Sequence, residues 1–234
     1  MSSQIHQELL RESELFRGLS EREYPDLLES GRKKKAEDGS FYFMEGDPAS
    51  SIFVLLEGRV KLLQVTPEGQ QVIFGYASIG DVFGIIAASD DNFYPVSAQA
   101  VGDCLALYWD KSTINRLIRE LPVISENINR ILLKKIQDYQ NRIRESSTQR
   151  VERRIARTLL RLAQQTGKKV KEGVLIDLPL TRQDLAEMTG TTLFTVSRTL
   201  KAWESRGLVL SKREKVIVRY PHGLVTIAED FQRD

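Results

Sequence analysis

The residues best suited to chemistry are hydroxyl, amide and cationic side chains near the C-terminus. They lie in Leu180–Leu208, which reads LTRQDLAEMTGTTLFTVSRTLKAWESRGL. The set comprises Thr181, Arg182, Gln183, Thr192, Thr195, Ser197, Arg198 and Lys201. Hydroxyls, amides and cations donate hydrogen bonds to phosphate, and arginine also binds the edge of guanine. This composition indicates a surface that contacts nucleic acid.

Two short helices joined by a tight turn are predicted to position these side chains. Thr181 and Asp184 have the spacing of a capping box at the start of the first helix. Gly190 can adopt the left-handed conformation of a sharp helix end, and Thr191 or Thr192 then caps the second helix. The second helix has an apolar stripe made of Val196, Leu200 and Trp203. The pattern favours a helix-turn-helix, although spacing alone leaves an ordinary helical hairpin open.

A basic β-hairpin is predicted directly after the second helix. Leu208–Leu210 and Lys215–Arg219 have the composition of short strands, with Ser211–Glu214 as the turn. A helix-turn-helix followed by such a hairpin is a winged helix. Lys212 and Arg213 place positive charge at the tip, where it can meet DNA phosphate or simply face water.

Charge is distributed unevenly along the chain. Residues 1–149 contain 17 Lys and Arg against 22 Asp and Glu, whereas residues 150–234 contain 17 against 10. The formal net charge of the whole chain, +2, conceals this division. A basic C-terminal third on an acidic body is typical of a protein in which one domain meets nucleic acid.

Length and composition indicate a globular protein of one or two domains. The chain has 234 residues, of which 41% are hydrophobic and 28% charged. No apolar run is long enough to span a membrane, and the polar, acidic N-terminus has no signal or transit peptide pattern. Cys104 is the single cysteine, which excludes an internal disulfide and a cysteine-ligated iron–sulfur cluster. We expect a cytoplasmic protein.

The first half of the chain is predicted to form a β-roll or jelly roll. Short apolar runs alternate there with glycine-containing turns, which is typical of many short antiparallel strands. These runs are Phe41–Phe43, Ile52–Leu56, Val60–Leu63, Val72–Phe74 and Leu105–Tyr108. The predicted domains are a sensor domain over residues 1–121, a helix over 122–146 and a winged helix-turn-helix domain over 147–234.

The helix that begins at Pro122 carries a broad apolar stripe. Its members are Ile124, Ile128, Ile131, Leu132, Ile136, Tyr139 and Ile143. Such a stripe can pack on the β-domain of the same chain, pair with a second copy as a coiled coil, or do both. We interpret it as a dimerisation helix, because two copies would present two recognition helices to two DNA half-sites.

The order of β-roll, long helix and winged helix resembles the Crp/Fnr family of bacterial transcription regulators over nearly the whole chain. The resemblance is carried by Phe43–Ala49 (FMEGDPA), Ile52–Leu62, Gly80–Gly84 (GDVFG), Thr181–Ala186 (TRQDLA) and Thr195–Arg198 (TVSR). It implies an α+β homodimer that binds a palindromic operator in double-stranded DNA, with RNA polymerase as a further partner.

The resemblance also implies individual DNA contacts. In the family, residues matching Arg182, Gln183, Thr192 and Thr195 contact phosphate, and those matching Ser197 and Arg198 contact bases or adjacent phosphate. Phe194 departs from the pattern, because the family usually has a glutamate there that accepts a hydrogen bond from cytosine. A phenylalanine ring accepts no such bond but can contact a thymine methyl group. The usual half-site should therefore not be assumed.

The effector pocket departs further from the cyclic-AMP-binding members. Those members have Phe-Gly-Glu for the ribose and an Arg-Ser or Arg-Thr pair for the phosphate, whereas this chain has Phe83–Ile86 (FGII) and Tyr94–Ser97 (YPVS). A buried phosphate without a cation would be uncompensated, so we expect no cyclic nucleotide. The apolar pocket predicted instead comprises Phe83, Gly84, Ile85, Ile86, Val96, Ser97 and Tyr139.

Several alternatives stay open for that pocket and for the class of protein. The pocket is either packed, with activity set by expression level, or it takes an apolar ligand or a haem that senses nitric oxide or redox change. His6 is the candidate haem ligand, since His6 and His222 are the only histidines. Their positions leave the β-roll without an imidazole metal site, so we expect no enzyme. Arg182 and Arg198 argue against an interaction module that has lost DNA binding.

Overall fold

The computed structural model describes residues 2–89 and 92–229, in two compact units. One unit comprises Met1–Val65 with Phe74–Asp138, and the other Thr66–Ile73 with Tyr139–Asp234. The first elements are α1 (Ser2–Glu12), α2 (Tyr24–Ser30), β1 (Arg32–Ala36), β2 (Phe41–Phe43), β3 (Ser51–Val65), β4 (Gln71–Ala77), β5 (Val82–Phe83), a 3₁₀ turn (Ile85–Ala88) and β6 (Ser97–Asp110). They are followed by α3 (Lys111–Glu120), α4 (Pro122–Thr148), α5 (Val151–Thr166), β7 (Gly167–Val170), β8 (Gly173–Ile176), α6 (Arg182–Thr189), α7 (Leu193–Ser205), β9 (Val209–Lys212), β10 (Lys215–Val218) and α8 (Pro221–Glu229).

A six-stranded sheet forms the β-roll of the first unit. Its order is β1-β6-β3-β4, with β2 also paired to β6 and β5 to β3. The long strands β3 and β6 pair antiparallel from Ser51 opposite Asp110 to Leu63 opposite Ser97. The apolar run Ile52–Leu56 is almost wholly buried at the centre, as a strand covered on both faces requires. The predicted β-roll is confirmed.

Strand β1 lies in the region predicted to be strand-like, but it has no apolar run and was not among the strand segments predicted individually. Its sequence is Arg-Lys-Lys-Lys-Ala, and only Ala36 is buried. The strand forms because β6 offers an edge, and Arg32–Ala36 pairs antiparallel with Cys104–Tyr108. Pairing with an existing strand therefore outweighs weak intrinsic strand propensity here.

Part of the dimer seam predicted on helix α4 is buried in the first unit instead. Ile124, Ile128 and Ile131 are 0%, 7% and 6% exposed and belong to the core of the first unit. They are therefore not available to a second copy of the chain. Asn127 on the same face is 1% exposed, and its Nδ2 donates hydrogen bonds to the backbone oxygens of Leu15 (3.0 Å) and Arg17 (2.8 Å). The first part of the helix thus anchors the N-terminal segment.

The second unit contains a sheet of four strands instead of the two predicted. The order is β7-β8-β10-β9, so the hairpin Gly167–Ile176 extends the predicted wing. Helix α8 was also not predicted. It is held to α5 by Arg153 and Arg157, whose Nε atoms donate to the backbone oxygen of Ala228 at 3.3 and 3.1 Å.

Candidate nucleic-acid interface

The first helix of the motif, α6, begins with the capping box predicted from Thr181 and Asp184. Thr181 Oγ1 accepts a hydrogen bond from the Asp184 backbone nitrogen at 2.9 Å, and Asp184 Oδ2 accepts from the Thr181 nitrogen at 3.0 Å. Both bonds satisfy amides that a helix start leaves free. Arg182 and Gln183 consequently lie exposed in the first turn, with Gln183 Nε2 donating to Glu187 Oε1 at 2.8 Å.

The turn between the two helices depends on Gly190 and on an arginine that the sequence did not reveal. Gly190 has φ 58° and ψ 48°, the left-handed conformation that ends α6. Arg154 of α5 donates from Nε to the Thr189 oxygen at 3.0 Å and from Nη2 to the Gly190 oxygen at 3.3 Å. A guanidinium at the carbonyl end of a helix satisfies free acceptors and complements the helix dipole. Arg154 therefore holds the turn that sets the angle between α6 and α7.

The second helix, α7, is anchored by one buried face. Thr192 is its N-cap, with Oγ1 accepting from the Thr195 nitrogen at 3.2 Å. Val196 and Leu200 are 0% exposed and Trp203 is 2% exposed, as the apolar spacing predicted. Because these residues recur every three or four positions, the opposite face is turned to solvent.

That solvent face carries an aromatic ring beside a guanidinium. Phe194 is 73% exposed, and the Arg198 Cζ atom lies 5.9 Å from the centre of its ring. Lys201, one turn further along, is exposed as well, and Ser197 and Thr195 are partly exposed. Exposing a large apolar ring to water costs free energy that a binding partner would recover. This ring lies among groups that bind phosphate and guanine.

The wing presents positive charge in an ordered turn. Lys212 of β9 pairs directly with Lys215 of β10, and Glu214 between them has φ 57°. Lys212 and Arg213 are both exposed at this tip. On α7, Glu204 Oε1 accepts from the Ser211 nitrogen of β9 at 2.6 Å, which ties the wing to this helix.

The neighbouring hairpin β7–β8 adds cations that sequence analysis missed. Lys168, Lys169 and Lys171 lie in or beside its strands. Lys168 Nζ is paired with Asp177 Oδ2 at 2.8 Å, while Lys169 is exposed. In the sequence, this hairpin is marked only by a run of basic residues and by Gly167 and Gly173, which begin its two strands.

Three of the residues predicted for the effector pocket, Phe83, Ile85 and Ser97, are buried in the β-roll. Phe83 and Ile85 are 2% and 8% exposed, and Ser97 Oγ accepts from the Glu45 nitrogen at 2.9 Å. Gly84 has φ 72°, and a Cβ there would lie 2.8 Å from the Ser51 backbone oxygen. Val96, Ile86 and Gly84 are partly exposed. Tyr139 is 38% exposed and belongs to the second unit, so its place in the pocket stays a prediction.

The later part of α4 exposes an apolar stripe. Ile136, Tyr139 and Ile143 are 51%, 38% and 67% exposed, and Leu132 is partly buried. Their four-three-four spacing places them on one side of the helix, adjacent to the face that holds the buried isoleucines.

The two histidines lie in different surroundings. His6 is 6% exposed, with Nε2 3.7 Å from Glu57 Oε1, whereas His222 is exposed at the start of α8. Within residues 2–89 and 92–229 no three His, Cys, Asp or Glu side chains cluster as metal ligands would. In the same described residues, no helix has both the length and the apolar character needed to cross a bilayer.

Two family models match the chain, the cyclic nucleotide-binding domain over residues 33–120 and the Crp-like helix-turn-helix domain over residues 153–227. The chain is 29% identical over 206 residues to electron transport regulator A of Shewanella oneidensis, covering 87% of this chain and 80% of that protein. It is 24% identical over 211 residues to the CRP-like cAMP-activated global transcriptional regulator of Mycobacterium tuberculosis, covering 90% and 94%. FixK2 from Bradyrhizobium japonicum has the same fold, with TM-score 0.74, 18% identity and coverage of 84% and 96%.

Fold and recognition surface together define a DNA-binding regulator of transcription with a helix-turn-helix. The chain belongs to the Crp/Fnr family, with a domain like the cyclic nucleotide-binding domain followed by a Crp-like helix-turn-helix domain. The motif resemblance seen in the sequence is confirmed.

Proposed function

We propose that the chain is a cytoplasmic, homodimeric transcription regulator that places α7 in the major groove of a palindromic operator. The observation that carries this proposal is the exposed pair Phe194 and Arg198 on the face of α7 opposite its buried stripe. Around it, exposed side chains of Arg182, Gln183 and Thr192 can hold the phosphates on either side. RNA polymerase is proposed as the further partner of the DNA-bound form.

The dimer would form through the exposed stripe of α4. Leu132, Ile136, Tyr139 and Ile143 give the alternating spacing of a two-stranded coiled coil. Association would remove from water apolar groups that a monomer leaves exposed. A two-fold dimer then presents two copies of α7 to half-sites about one helical turn apart.

The pair on α7 also supports a specific half-site chemistry. The Phe194 ring can contact a thymine methyl group, and the Arg198 guanidinium can form two hydrogen bonds with guanine O6 and N7. We propose a thymine at the position where relatives with glutamate select cytosine. The ring would also restrict the guanidinium beside it, because the two groups already lie in contact range.

The effector is proposed not to be a cyclic nucleotide. Ile85 occupies the position of the ribose-binding glutamate, and Val96 precedes Ser97 where a guanidinium would be needed. Both are apolar, and Ser97 Oγ is already bonded to a backbone amide. Haem does not fit the residues either, because His6 is buried against Glu57 and Cys104 Sγ donates to the Arg59 backbone oxygen at 3.0 Å. Regulation by an apolar ligand or by the amount of protein fits this packing better.

The test is selection of duplexes bound by the full-length protein from a random pool. We expect an inverted repeat with half-sites separated by one helical turn, and a binding constant that falls steeply with salt. Recovery of random sequences with the same salt dependence would leave only non-specific binding and contradict the proposal.

Phe194→Glu sharpens the same experiment, because the variant restores the family's usual acceptor. One position of each half-site should change from a T·A to a C·G preference, with each mismatch costing about 1–3 kcal/mol. Leu193→Glu adds the same charge one position earlier, where the side chain is 48% exposed. The control should weaken binding without changing that base preference.

A further inference from the structure

Lys34 is a partly buried cation set among aromatic rings. It lies in β1, and its Nζ atom is 5.7 Å from the ring centre of Tyr42 and 5.8 Å from that of Phe53. The Nζ atom donates one hydrogen bond, to the Tyr42 backbone oxygen at 3.0 Å. Burial lowers the pKa of Lys34, and among the described residues no charge offsets this effect. The ammonium group has therefore lost part of its hydration, and no carboxylate in the described part of the chain pairs with it.

The hydrogen-bonding capacity of Lys34 is only partly used. An ammonium has three N–H donors, and the described part of the chain supplies a partner for one of them and no carboxylate in ion-pair contact. Two donors remain for a further group. Cation–π contacts of this kind contribute less than the charge-assisted bonds that an anion would form.

Lys34 lines a cleft of about 360 Å³ in which five of the ten lining residues are aromatic. The rings come from Tyr42, Phe43, Phe53, Tyr94 and Tyr108. Tyr94 fixes one end, because its hydroxyl accepts from the Ser51 nitrogen at 2.9 Å and donates to the Ser51 oxygen at 2.7 Å. A cleft of this size is within the range that binds small organic molecules.

Asp47, the one carboxylate of the lining, does not neutralise Lys34. Its Oδ2 atom accepts from the Met44 backbone nitrogen at 2.8 Å and closes the turn there. None of the residues predicted for the effector pocket lines this cleft. The two regions adjoin, because the ring centres of Tyr42 and Phe53 lie 5.2 and 5.0 Å from that of Phe83.

We propose that this cleft binds a small aromatic carboxylate, with Lys34 holding the carboxylate and the rings of Tyr42, Phe53 and Tyr108 flanking the aromatic body. The carboxylate supplies the charge that the buried ammonium lacks, and it can accept the two unused N–H donors. A flat ring replaces water against side chains that already pack on one another, Tyr42 edge to face with Phe53 and Tyr108 tilted against Phe53.

The experiment titrates benzoate into the full-length protein carrying isotope-labelled lysine and tyrosine, and follows both residue types by NMR. The Lys34 side-chain signal, assigned by its absence from Lys34→Met, should shift saturably, and the pKa of Lys34 should rise on binding. Followed through the Tyr108 signal, Lys34→Met should bind benzoate about 10- to 100-fold more weakly, the range for one bond to a charged group. Lys35→Met is the matched control, since Lys35 is exposed on the other face of the same strand.

Benzamide and cyclohexanecarboxylate separate the two parts of the proposal. Benzamide keeps the ring without the charge, and cyclohexanecarboxylate keeps the charge without the flat ring, so both should bind more weakly than benzoate. No saturable shift of Lys34 with benzoate in the wild-type protein overturns the proposal, as does equal affinity in Lys34→Met. Lys34→Arg, which keeps the cation, should retain binding. No DNA is present, so the result does not depend on the proposed operator.

Discussion

The recognition surface on α7 and the pocket around Phe83 follow the family pattern to very different degrees. On α7, one position departs, Phe194, and the surrounding cap, buried stripe and cations are all in place. Around Phe83, both polar elements that would hold a cyclic nucleotide are replaced, by Ile85 and by Val96. One region keeps exposed donors, and the other has apolar side chains at the positions of both polar elements.

The difference follows from what each region has to meet. Every DNA duplex presents the same phosphate spacing, so a helix that enters the groove needs donors at fixed positions, whatever the sequence it selects. A ligand pocket has no such common partner, and its lining changes with the molecule it accepts or with the loss of any ligand. DNA binding by this regulator is therefore more readily deduced from its residues than the identity of its effector.

The largest effect should come from breaking the α4 seam. Replacing Ile136 and Ile143 together with lysine would place charges in an apolar contact. We expect a monomer by sedimentation and a loss of operator affinity of about 10³-fold or more, toward non-specific binding. A dimeric double variant would show that the seam lies elsewhere.

Gln137→Lys with Asn141→Lys is the matched control for that seam. It adds the same two charges to the same helix, at exposed positions away from the stripe. This variant should remain dimeric and keep its operator affinity. If it also dissociates, added charge along α4 and not the stripe is responsible.

Arg198→Ala tests the exposed face of α7, the region that follows the family pattern. The variant should lose about 1–3 kcal/mol in binding the selected operator, with weaker preference at one base pair. Arg119→Ala removes the same charge from an exposed position at the end of α3 and should leave affinity within experimental error. Equal losses in both variants, measured by fluorescence anisotropy, would mean that Arg198 contributes only net charge.

The recognition motif could be predicted from the sequence because its determinants are local. A capping box spans four residues, a turn glycine stands at one position, and an apolar stripe repeats within one helix. Thr181, Asp184 and Gly190 therefore define α6 without knowledge of the rest of the chain. The same local reasoning predicted the buried residues of α7.

Features that depend on pairing between distant segments could not be predicted in this way. Strand β1 has a polar sequence and exists because β6 lies beside it. The periodicity of α4 predicted an apolar face. It did not show that Ile128 is buried in the core of its own chain while Ile143 is exposed. The cleft at Lys34 is assembled from β1, β2, β3, β6 and the segments between them, so no single short motif contains its lining.

The N-terminal cap of α3 offers a test with a smaller expected effect. Asp110 caps α3 by accepting from Ser112 Oγ at 2.6 Å and from the Thr113 nitrogen at 2.8 Å. These hydrogen bonds lower the pKa of Asp110 to about 2. Asp110→Ala should cost about 1 kcal/mol of unfolding free energy at neutral pH.

The pH dependence of that loss has a definite sign. Because the folded pKa lies below the unfolded value near 3.8, the stabilisation is complete above that value and disappears as pH falls toward about 2. The stability difference in urea between wild type and Asp110→Ala should be constant from pH 7 to about pH 5 and shrink below pH 4. Asp110→Asn caps without titrating and should show no such loss. A difference that grows on acidification would contradict this assignment.

The smallest expected effect is no change at all, and it concerns cyclic nucleotides at the pocket around Phe83. Desolvating a cyclic phosphate beside Ile85 and Val96 would cost several kcal/mol with no cation to compensate. Millimolar cyclic AMP or cyclic GMP should therefore leave both the melting temperature and operator binding unchanged. A ligand at 100 times its dissociation constant adds about 2.7 kcal/mol, which for a chain of this length raises Tm by several degrees. The cAMP-activated regulator of Mycobacterium tuberculosis, scanned in parallel, serves as the positive control. A dose-dependent rise in this protein with either nucleotide would show that backbone amides or a rearranged side chain replace the missing guanidinium, and the contrast between the two regions would then fail.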